Sequence, residues 1–110
     1  MSLGLARAVA LQGLEGTVVD VECHRSPGLP SFGIGGLPDT ACAQAPDRVR
    51  SAAISSGVPL PAHRFVVNLS PAAIRKQGTG YDAGIAVAAL TASGVVPAGA
   101  ATDVVHVAEL

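Results

Sequence analysis

Apolar and polar residues alternate along the first quarter of the chain, as they do in strands that bury one face. In the segment Thr17–Arg25, the apolar residues at 19, 21 and 23 share one side and the polar residues at 20, 22 and 24 share the other. The segment Leu3–Gly13 is also apolar with a period of two, and Leu14–Gly16 separates the two segments. The pattern predicts a β-hairpin with one face in solvent.

Three further segments have the composition of strands. Ser31–Gly36 follows the proline-rich turn Ser26–Pro30 and predicts a short strand weakened by glycines. Arg64–Ser70 is the clearest strand of the chain, and Asp103–Leu110 predicts a last one. Between them, Pro71–Gly80 predicts a loop.

Two segments predict helices. The first starts at Asp39 and stops at Gly57, and Pro46 inside it should kink or restart the helix because proline lacks a backbone donor. After such a restart, Asp47 lies in the first turn, where its charge suits the helix dipole. The second helix is Tyr81–Gly94. The order β-β-β-α-β-α-β predicts a two-layer α/β fold, with both helices on one face of a mixed sheet.

Length and composition narrow the possible classes of protein. A chain of 110 residues with 49% hydrophobic and 14% charged residues is expected to form one globular domain, spanning residues 1–110. The net charge of −1 shows no basic excess, so strong autonomous binding of nucleic acid is not expected. The 13 glycines and many alanines predict close contact between helices and sheet.

The two cysteines and the longest uncharged run of residues also help to define the class of protein. Cys23 and Cys42 lack the paired spacing of a zinc site, and we expect both to be reduced in a cytoplasmic protein. Residues 83–102 are uncharged, but Gly94 and Pro97 interrupt them. This run predicts a buried helix followed by a loop rather than a membrane anchor.

The segment "RKQGTGYDAGIAVAAL" (residues 75–90) carries the candidate chemistry. Residues 78–83 match the dinucleotide-binding pattern G-x-G-x-x-[G/A], and Asp103 lies where a ribose-binding acid would be. However, Asp82 would repel a pyrophosphate at the helix N-terminus. Lys76 precedes both glycines, so the segment is not a P-loop.

The same segment resembles the region of the nucleophilic serine in Lon-type proteases. Gly80 and residues 83–86 match that region, and Asp82 occupies the position of the serine. A lysine cannot activate an aspartate as it activates a hydroxyl, and in Lon the partner lysine lies further along than Leu110. We therefore expect Asp82 to be a non-catalytic carboxylate that accepts hydrogen bonds from the backbone amides at the helix N-terminus.

A resemblance along nearly the whole chain is more specific. The stretches "ALQGLEGTVVDVE", "GLPSFGIGGLPDTA", "DRVRSAA", "VVNLSPAAIRKQGTGYD" and "AEL" resemble, in order, the N-terminal domain of magnesium-chelatase-related ATPases of the YifB/ComM type. The resemblance implies a Lon-protease-like (ribosomal-protein-type) fold without a peptidase dyad. It also implies that the chain ends before the last strands and helices of that domain.

The resemblance further implies what the parent protein does. An AAA+ ATPase module that uses ATP and Mg²⁺ is expected beyond residue 110, and ComM-type members are hexameric helicases that promote DNA branch migration. For residues 1–110 themselves we expect no catalytic residue, no cofactor and no metal. The implied partners are the parent's own AAA+ module, neighbouring subunits and, weakly, DNA.

Arg75, Lys76 and Asp82 are the candidate interaction residues. The simplest expectation is a solvated loop in which Arg75 or Lys76 pairs with Asp82; the alternative is that both bases contact phosphate on DNA or a neighbouring subunit. Two other functions remain open: a divergent hydrolase that uses Asp82 with Lys76 or Arg75 as electrostatic partner, and a dinucleotide-binding protein.

Three other polar residues have predicted roles. Arg48 and Arg50 lie on different faces of the first helix, and one of them is expected to pair with Asp47 or Asp39, leaving the other for an interface. Asn68 is expected to point inward from its strand and to bond the loop that follows.

Overall fold

Seven elements make up the fold in a computed structural model that describes residues 2–110. The strands are β1 (Ser2–Gln12), β2 (Glu15–Ser26), β3 (Ser31–Gly35) and β4 (Arg64–Ser70); the helices are α1 (Thr40–Ala43), α2 (Ala45–Ser55) and α3 (Asp82–Ala92). The strands form one sheet in the order β1-β2-β4-β3. The β1–β2 and β2–β4 pairs are antiparallel and the β3–β4 pair is parallel, so the predicted mixed sheet is confirmed.

The hairpin has the predicted register. Gln12 pairs with Glu15 across a two-residue turn, in which Gly13 has a φ of 64° that suits glycine. From there β1 and β2 stay paired to Ser2 and Arg25. Both strands bury alternate residues, which confirms the half-solvated hairpin.

One face of the sheet is covered and the other is open. The buried side chains of the strands all share the covered face; they are Ala6, Ala8, Ala10, Val19, Val21, Cys23, Phe65, Val67 and Leu69. They form one cluster with residues of α1, α2 and α3, among them Val49 and Ile85. The two-layer α/β prediction is therefore confirmed, with the helices on a single face.

Small residues let α3 lie very close to β1. A Cβ atom added to Gly4 would stand 1.9 Å from the carbonyl oxygen of Ala88 and 2.6 Å from the nitrogen of Ala92. Gly84, on the same helix, would bring a Cβ within 3.5 Å of Ala8. Contact this close requires small residues on both partners, as the glycine and alanine content predicted.

Proline and glycine divide the helices where the sequence predicts. The first predicted helix is split into α1 and α2, and Pro46 stands in the first turn of α2, where its missing donor has no intrahelical partner to lose. Asp47 lies in that first turn as expected. Beyond α2, Gly57 has a φ of 76° and donates to Ile54, while Val58 donates to Ala53; these bonds form a Schellman motif.

Two structural predictions were wrong. Asp103–Leu110 is irregular rather than a strand. Within residues 2–110 its only backbone bond to the sheet joins the His106 amide to the Arg7 carbonyl, after which the segment turns to the start of α3. Asn68 is exposed on the open face of β4 rather than directed inward, since Val67 and Leu69 occupy the alternate, buried positions.

Both cysteines are buried free thiols. Cys23 lies in the sheet and Cys42 in α1, and neither forms a disulfide. Burial raises the pKa of Cys23 to about 12. Burial, together with the charges of Asp39 and Asp82, raises the pKa of Cys42 to about 11. Within residues 2–110, no helix has the length and apolar content that crossing a bilayer requires.

Candidate functional site

Hydrogen bonds join the loop after β4 to the segment that precedes α1. The Asp39 amide donates to the Lys76 carbonyl at 2.8 Å, and the Lys76 amide donates to the Leu37 carbonyl at 3.0 Å. The Asp39 carboxylate accepts from the Cys42 amide at 2.8 Å and from the Gly78 amide at 3.0 Å. Asp39 therefore caps α1, as its position in the sequence predicts, and also holds the loop.

These two bonds make the stability of the fold depend on pH. The backbone bonds from Cys42 and then Gly78 lower the pKa of Asp39 below its ordinary value of 3.8. A carboxyl with a lowered folded-state pKa contributes stability above its unfolded pKa and loses it as the pH falls through the folded value. We expect Asp39→Asn to be less stable than the wild type at pH 7, with the difference shrinking below pH ~4.

Thermal unfolding followed by circular dichroism from pH 7 to pH 3 checks this prediction. Asp103→Asn, which alters an exposed carboxylate, serves as the matched control and should follow the wild-type profile. A constant difference between Asp39→Asn and the wild type across this range contradicts the prediction.

Lys76 is buried, contrary to the expectation of a solvated loop. Its side chain is 0% exposed, and its ammonium group donates to the carbonyl of Pro71. It forms no ion pair with Asp82 or with any other acidic side chain among the described residues. The backbone bonds to Leu37 and Asp39 draw this part of the loop into the fold, and the side chain follows it inward. Lys76 therefore cannot reach a phosphate group in this conformation.

Burial of this ammonium opposes folding at neutral pH. Loss of hydration lowers the pKa of Lys76 below its ordinary value of 10.5, so the unfolded chain binds more protons between the two values and stability rises with pH there. We expect Lys76→Met to stabilise the fold by about 1 kcal/mol at pH 7, and by less at pH ~10.

Urea unfolding at the two pH values measures both effects. Arg75→Met, which removes the exposed neighbouring charge, is the control and should show no such dependence on pH. A loss of stability in Lys76→Met that is equal at both pH values contradicts this account, because it would mean that the bond to Pro71 outweighs the cost of burial.

Asp82 is buried and pairs with Arg48. Its side chain is 0% exposed, and its two oxygens accept from Arg48 Nε at 2.6 Å and Arg48 Nη2 at 3.0 Å. The Leu110 amide donates to the same carboxylate at 3.2 Å. The bond to Asp82 raises the pKa of Arg48. Arg48 also donates to the Ala41 carbonyl at 2.6 Å, so one guanidinium joins α1, α2 and the start of α3.

This geometry corrects three predictions. The partner of Asp82 is neither Arg75 nor Lys76, and Arg48 pairs with neither Asp47 nor Asp39. The amides at the start of α3 do not hold Asp82 either. The Asp82 amide donates to Thr79 and the Ala83 amide donates to Ala108. Sequence spacing could not reveal the Arg48–Asp82 pair, because 34 residues separate its members.

The arrangement is poorly suited to acid–base or nucleophilic chemistry at Asp82. Three N–H donors already occupy the carboxylate. Its ionic neighbour is a guanidinium, which does not accept a proton and cannot serve as a base. A hydrolase would need a second group able to exchange protons with Asp82, and none of its hydrogen-bond partners is such a group.

The other arginines lie elsewhere. Arg75 is exposed beside an open cleft and forms no ion pair with any residue in the range 2–110. Arg50 lies over the ring of Phe32, with its guanidinium carbon 5.6 Å from the ring centroid. Of the three candidate residues, the structure therefore leaves only Arg75 at the surface.

The arrangement of the described side chains also bears on the binding of a metal or a cofactor. No three histidine, cysteine or acidic side chains within residues 2–110 come together as metal ligands. The start of α3 is a poor cradle for a pyrophosphate, because its first two amides donate to protein carbonyls and Asp82 stands beside them.

The chain is similar to known proteins over most of its length. A family model described as "Subunit ChlI of Mg-chelatase" matches residues 21–110. The chain belongs to this family. "Uncharacterized protein YifB" of Escherichia coli is 45% identical over 93 residues, which are 84% of this chain and 18% of that protein. "Competence protein ComM" of Haemophilus influenzae is 39% identical over 110 residues, 100% of this chain and 22% of that protein.

These relatives make the chain a Mg-chelatase-related protein of the YifB/ComM type, as the sequence motifs implied. A third relative, an uncharacterised protein of Mycobacterium tuberculosis, is 42% identical over 92 residues. The chain spans about a fifth of the length of these relatives. The match to the family model includes the segment between β4 and α3, which carries Arg75 and Lys76.

Proposed function

We propose that residues 1–110 are a non-catalytic interaction domain at the N-terminus of a longer, cytoplasmic Mg-chelatase-related ATPase that acts on DNA. The observation that carries the proposal is the buried, bidentate pair of Arg48 with Asp82. The segment around Asp82 resembles the region of the nucleophilic serine in Lon-type proteases, and Asp82 stands at the position of that serine. A saturated, buried carboxylate at that position supports a structural role for the residue.

The charge distribution favours contact with protein over contact with DNA. Lys76 is buried, so Arg75 alone of the loop's two basic residues is available to a partner. The net charge of the chain is −1, and one exposed arginine neutralises little of a phosphate backbone. We infer that the domain binds the parent's own AAA+ module or neighbouring subunits, and that contact with DNA through Arg75 is weak.

The role of the parent is proposed from its relatives. The chain covers 18–22% of their length, which leaves room for an ATPase module that binds ATP and Mg²⁺. The H. influenzae relative is a competence protein by name. On this basis we propose that the parent is a ComM-type hexamer with a role in DNA branch migration.

A peptidase assay tests the non-catalytic part of the proposal. Incubation of the chain with a pool of unstructured casein peptides should give no cleavage by mass spectrometry, and the result should be the same for Asp82→Asn. Cleavage that disappears in Asp82→Asn, while the circular dichroism spectrum is unchanged, would overturn the proposal in favour of a hydrolase.

Deletion of the whole N-terminal domain from the parent, residues 1–110 together with the domain's last strands and helices, tests the interaction role. We expect basal ATP hydrolysis to persist, because the ATPase module is separate, and branch migration of a synthetic four-way DNA junction to slow. If the truncated parent migrates the junction as fast as the intact one, the domain does not serve this activity.

A further inference from the structure

A cleft of about 700 Å³ lies beside β1 and takes no part in the Arg48–Asp82 pair. Its volume is within the range of ligand-binding pockets in proteins. The end of β1, the loop after β4 and the segment around Val107 all contribute lining residues. Residues from these three parts that line it include Val9, Leu11, Ile74, Arg75, Gln77 and Val107.

The β1 wall of this cleft is an unpaired strand edge. β1 is the first strand in the sheet order, so one of its edges has no neighbouring strand. The Arg7 carbonyl faces that edge, because it accepts from the His106 amide outside the sheet. Backbone groups of alternate residues in a strand point the same way, so those of Val9 and Leu11 also face the edge.

These backbone groups have no partner across the edge within residues 2–110. The described chain bonds the edge once, at Arg7, and the segment then leaves it for the start of α3. Val9 and Leu11 thus present two amides and two carbonyls along the cleft. Long unpaired edges are usually covered in native proteins, because they pair readily with other strands.

The cleft offers both apolar surface and one positive charge. Val9, Leu11 and Val107 supply the apolar part. Arg75 supplies the charge and forms no ion pair with a described residue. An extended peptide satisfies all three features at once: its backbone pairs with the edge, its alternate side chains fill the apolar part, and a carboxylate meets Arg75.

We propose that this cleft receives an extended segment of the parent polypeptide from outside residues 1–110, with an acidic side chain opposite Arg75. The inference rests on the proposed function, in which the chain is part of a longer protein. The relatives place about four fifths of the parent outside this chain. The described chain already makes the first bond to the same edge, at Arg7.

The chemistry of the cleft is tested with the 110-residue chain and a synthetic probe. The probe is the blocked hexapeptide acetyl-Val-Thr-Val-Asp-Val-Thr-amide, titrated into ¹⁵N-labelled protein. We expect the amide signals of Val9 and Leu11 to shift. Arg75→Gln, or replacement of the peptide's Asp by Asn, should weaken binding about tenfold, and the two changes together should weaken it no further.

Two controls separate strand pairing from other contact. A peptide methylated on alternate backbone nitrogens keeps its side chains but loses edge donors, so it should bind at least about tenfold more weakly. Arg64→Gln removes an exposed arginine outside the cleft and should leave binding unchanged. No shift at millimolar peptide, equal binding of the methylated peptide, or larger shifts at Val9 with single-stranded DNA would overturn the inference.

The source of the segment is tested by hydrogen exchange in the parent. We expect the Val9 and Leu11 amides to exchange rapidly in the 110-residue chain and slowly in the parent, with Arg75→Gln speeding exchange in the parent. Equally rapid exchange in both proteins rules out a segment of the parent. The hexapeptide recovered from the titration distinguishes the two proposals: a cleaved peptide counts against the non-catalytic function, and an intact but unbound one counts against this inference alone.

Discussion

Arg48→Ala is expected to lower the free energy of unfolding by about 3 kcal/mol, because it leaves the buried Asp82 carboxylate without its ionic partner. This expected loss is at the low end of the range for a broken buried ion pair. The Arg48 side chain is 23% exposed, so water can reach Asp82 once the arginine is replaced. The substitution also removes the bond to the Ala41 carbonyl, which ties α2 to α1.

A double variant shows whether the unpaired charge causes the loss. When Asp82 is replaced together with Arg48, as in Arg48→Met/Asp82→Leu, no buried charge is left alone and much of the stability should return. Arg50→Ala, two residues along the same helix, removes a contact with the Phe32 ring and no ion pair among the described residues, and it should cost about 1 kcal/mol or less. Urea denaturation of the four proteins makes the comparison.

The result would be contradicted in either of two ways. In the first, Arg48→Ala unfolds at the wild-type urea concentration; in the second, the double variant is less stable than Arg48→Ala. Either outcome would mean that Asp82 does not depend on Arg48, and the case for Asp82 as a structural residue would lose its main support.

Gly4→Ala is expected to destabilise the fold by about 3 kcal/mol through overpacking. The new methyl group would stand 1.9 Å from the Ala88 carbonyl oxygen and 2.6 Å from the Ala92 nitrogen. Both are backbone atoms, so no side-chain rotation relieves the contact, and α3 must move away from β1. That movement would loosen the packing of Gly84 against Ala8 as well.

Gly33→Ala is the matched control for this substitution. Gly33 is also a strand glycine, but nothing lies within 4 Å of a Cβ added there. The change should be neutral or stabilising by about 0.5 kcal/mol, since alanine loses less backbone freedom on folding. Differential scanning calorimetry of both variants tests the pair, and similar melting temperatures for the two would refute the close packing of α3 on β1.

Features that depend on neighbouring residues in the chain could be predicted from the sequence. The buried side of β2 followed from alternation at Val19, Val21 and Cys23. The division between α1 and α2 followed from Pro46, and the end of α2 from Gly57, because each residue constrains its own backbone.

Features that depend on distant contacts could not be predicted. The composition of Pro71–Gly80 is that of a solvated loop, and only its bonds to Leu37 and Asp39 explain why Lys76 is buried. Asp103–Leu110 has a strand-like composition, but one bond to β1 does not make a ladder. For the Arg48–Asp82 pair, the sequence offered a helix start at Asp82 and no indication of which base would reach it.

The two buried thiols give the protein built-in reporters of local opening. Cys23 lies in the sheet, whereas Cys42 lies in α1 beside the Asp39 cap. A thiol reagent can reach each sulfur only after its own surroundings have separated. The rates of modification should therefore time the opening of the sheet and of the α1 cap independently, in the unmodified wild-type sequence and without an added label.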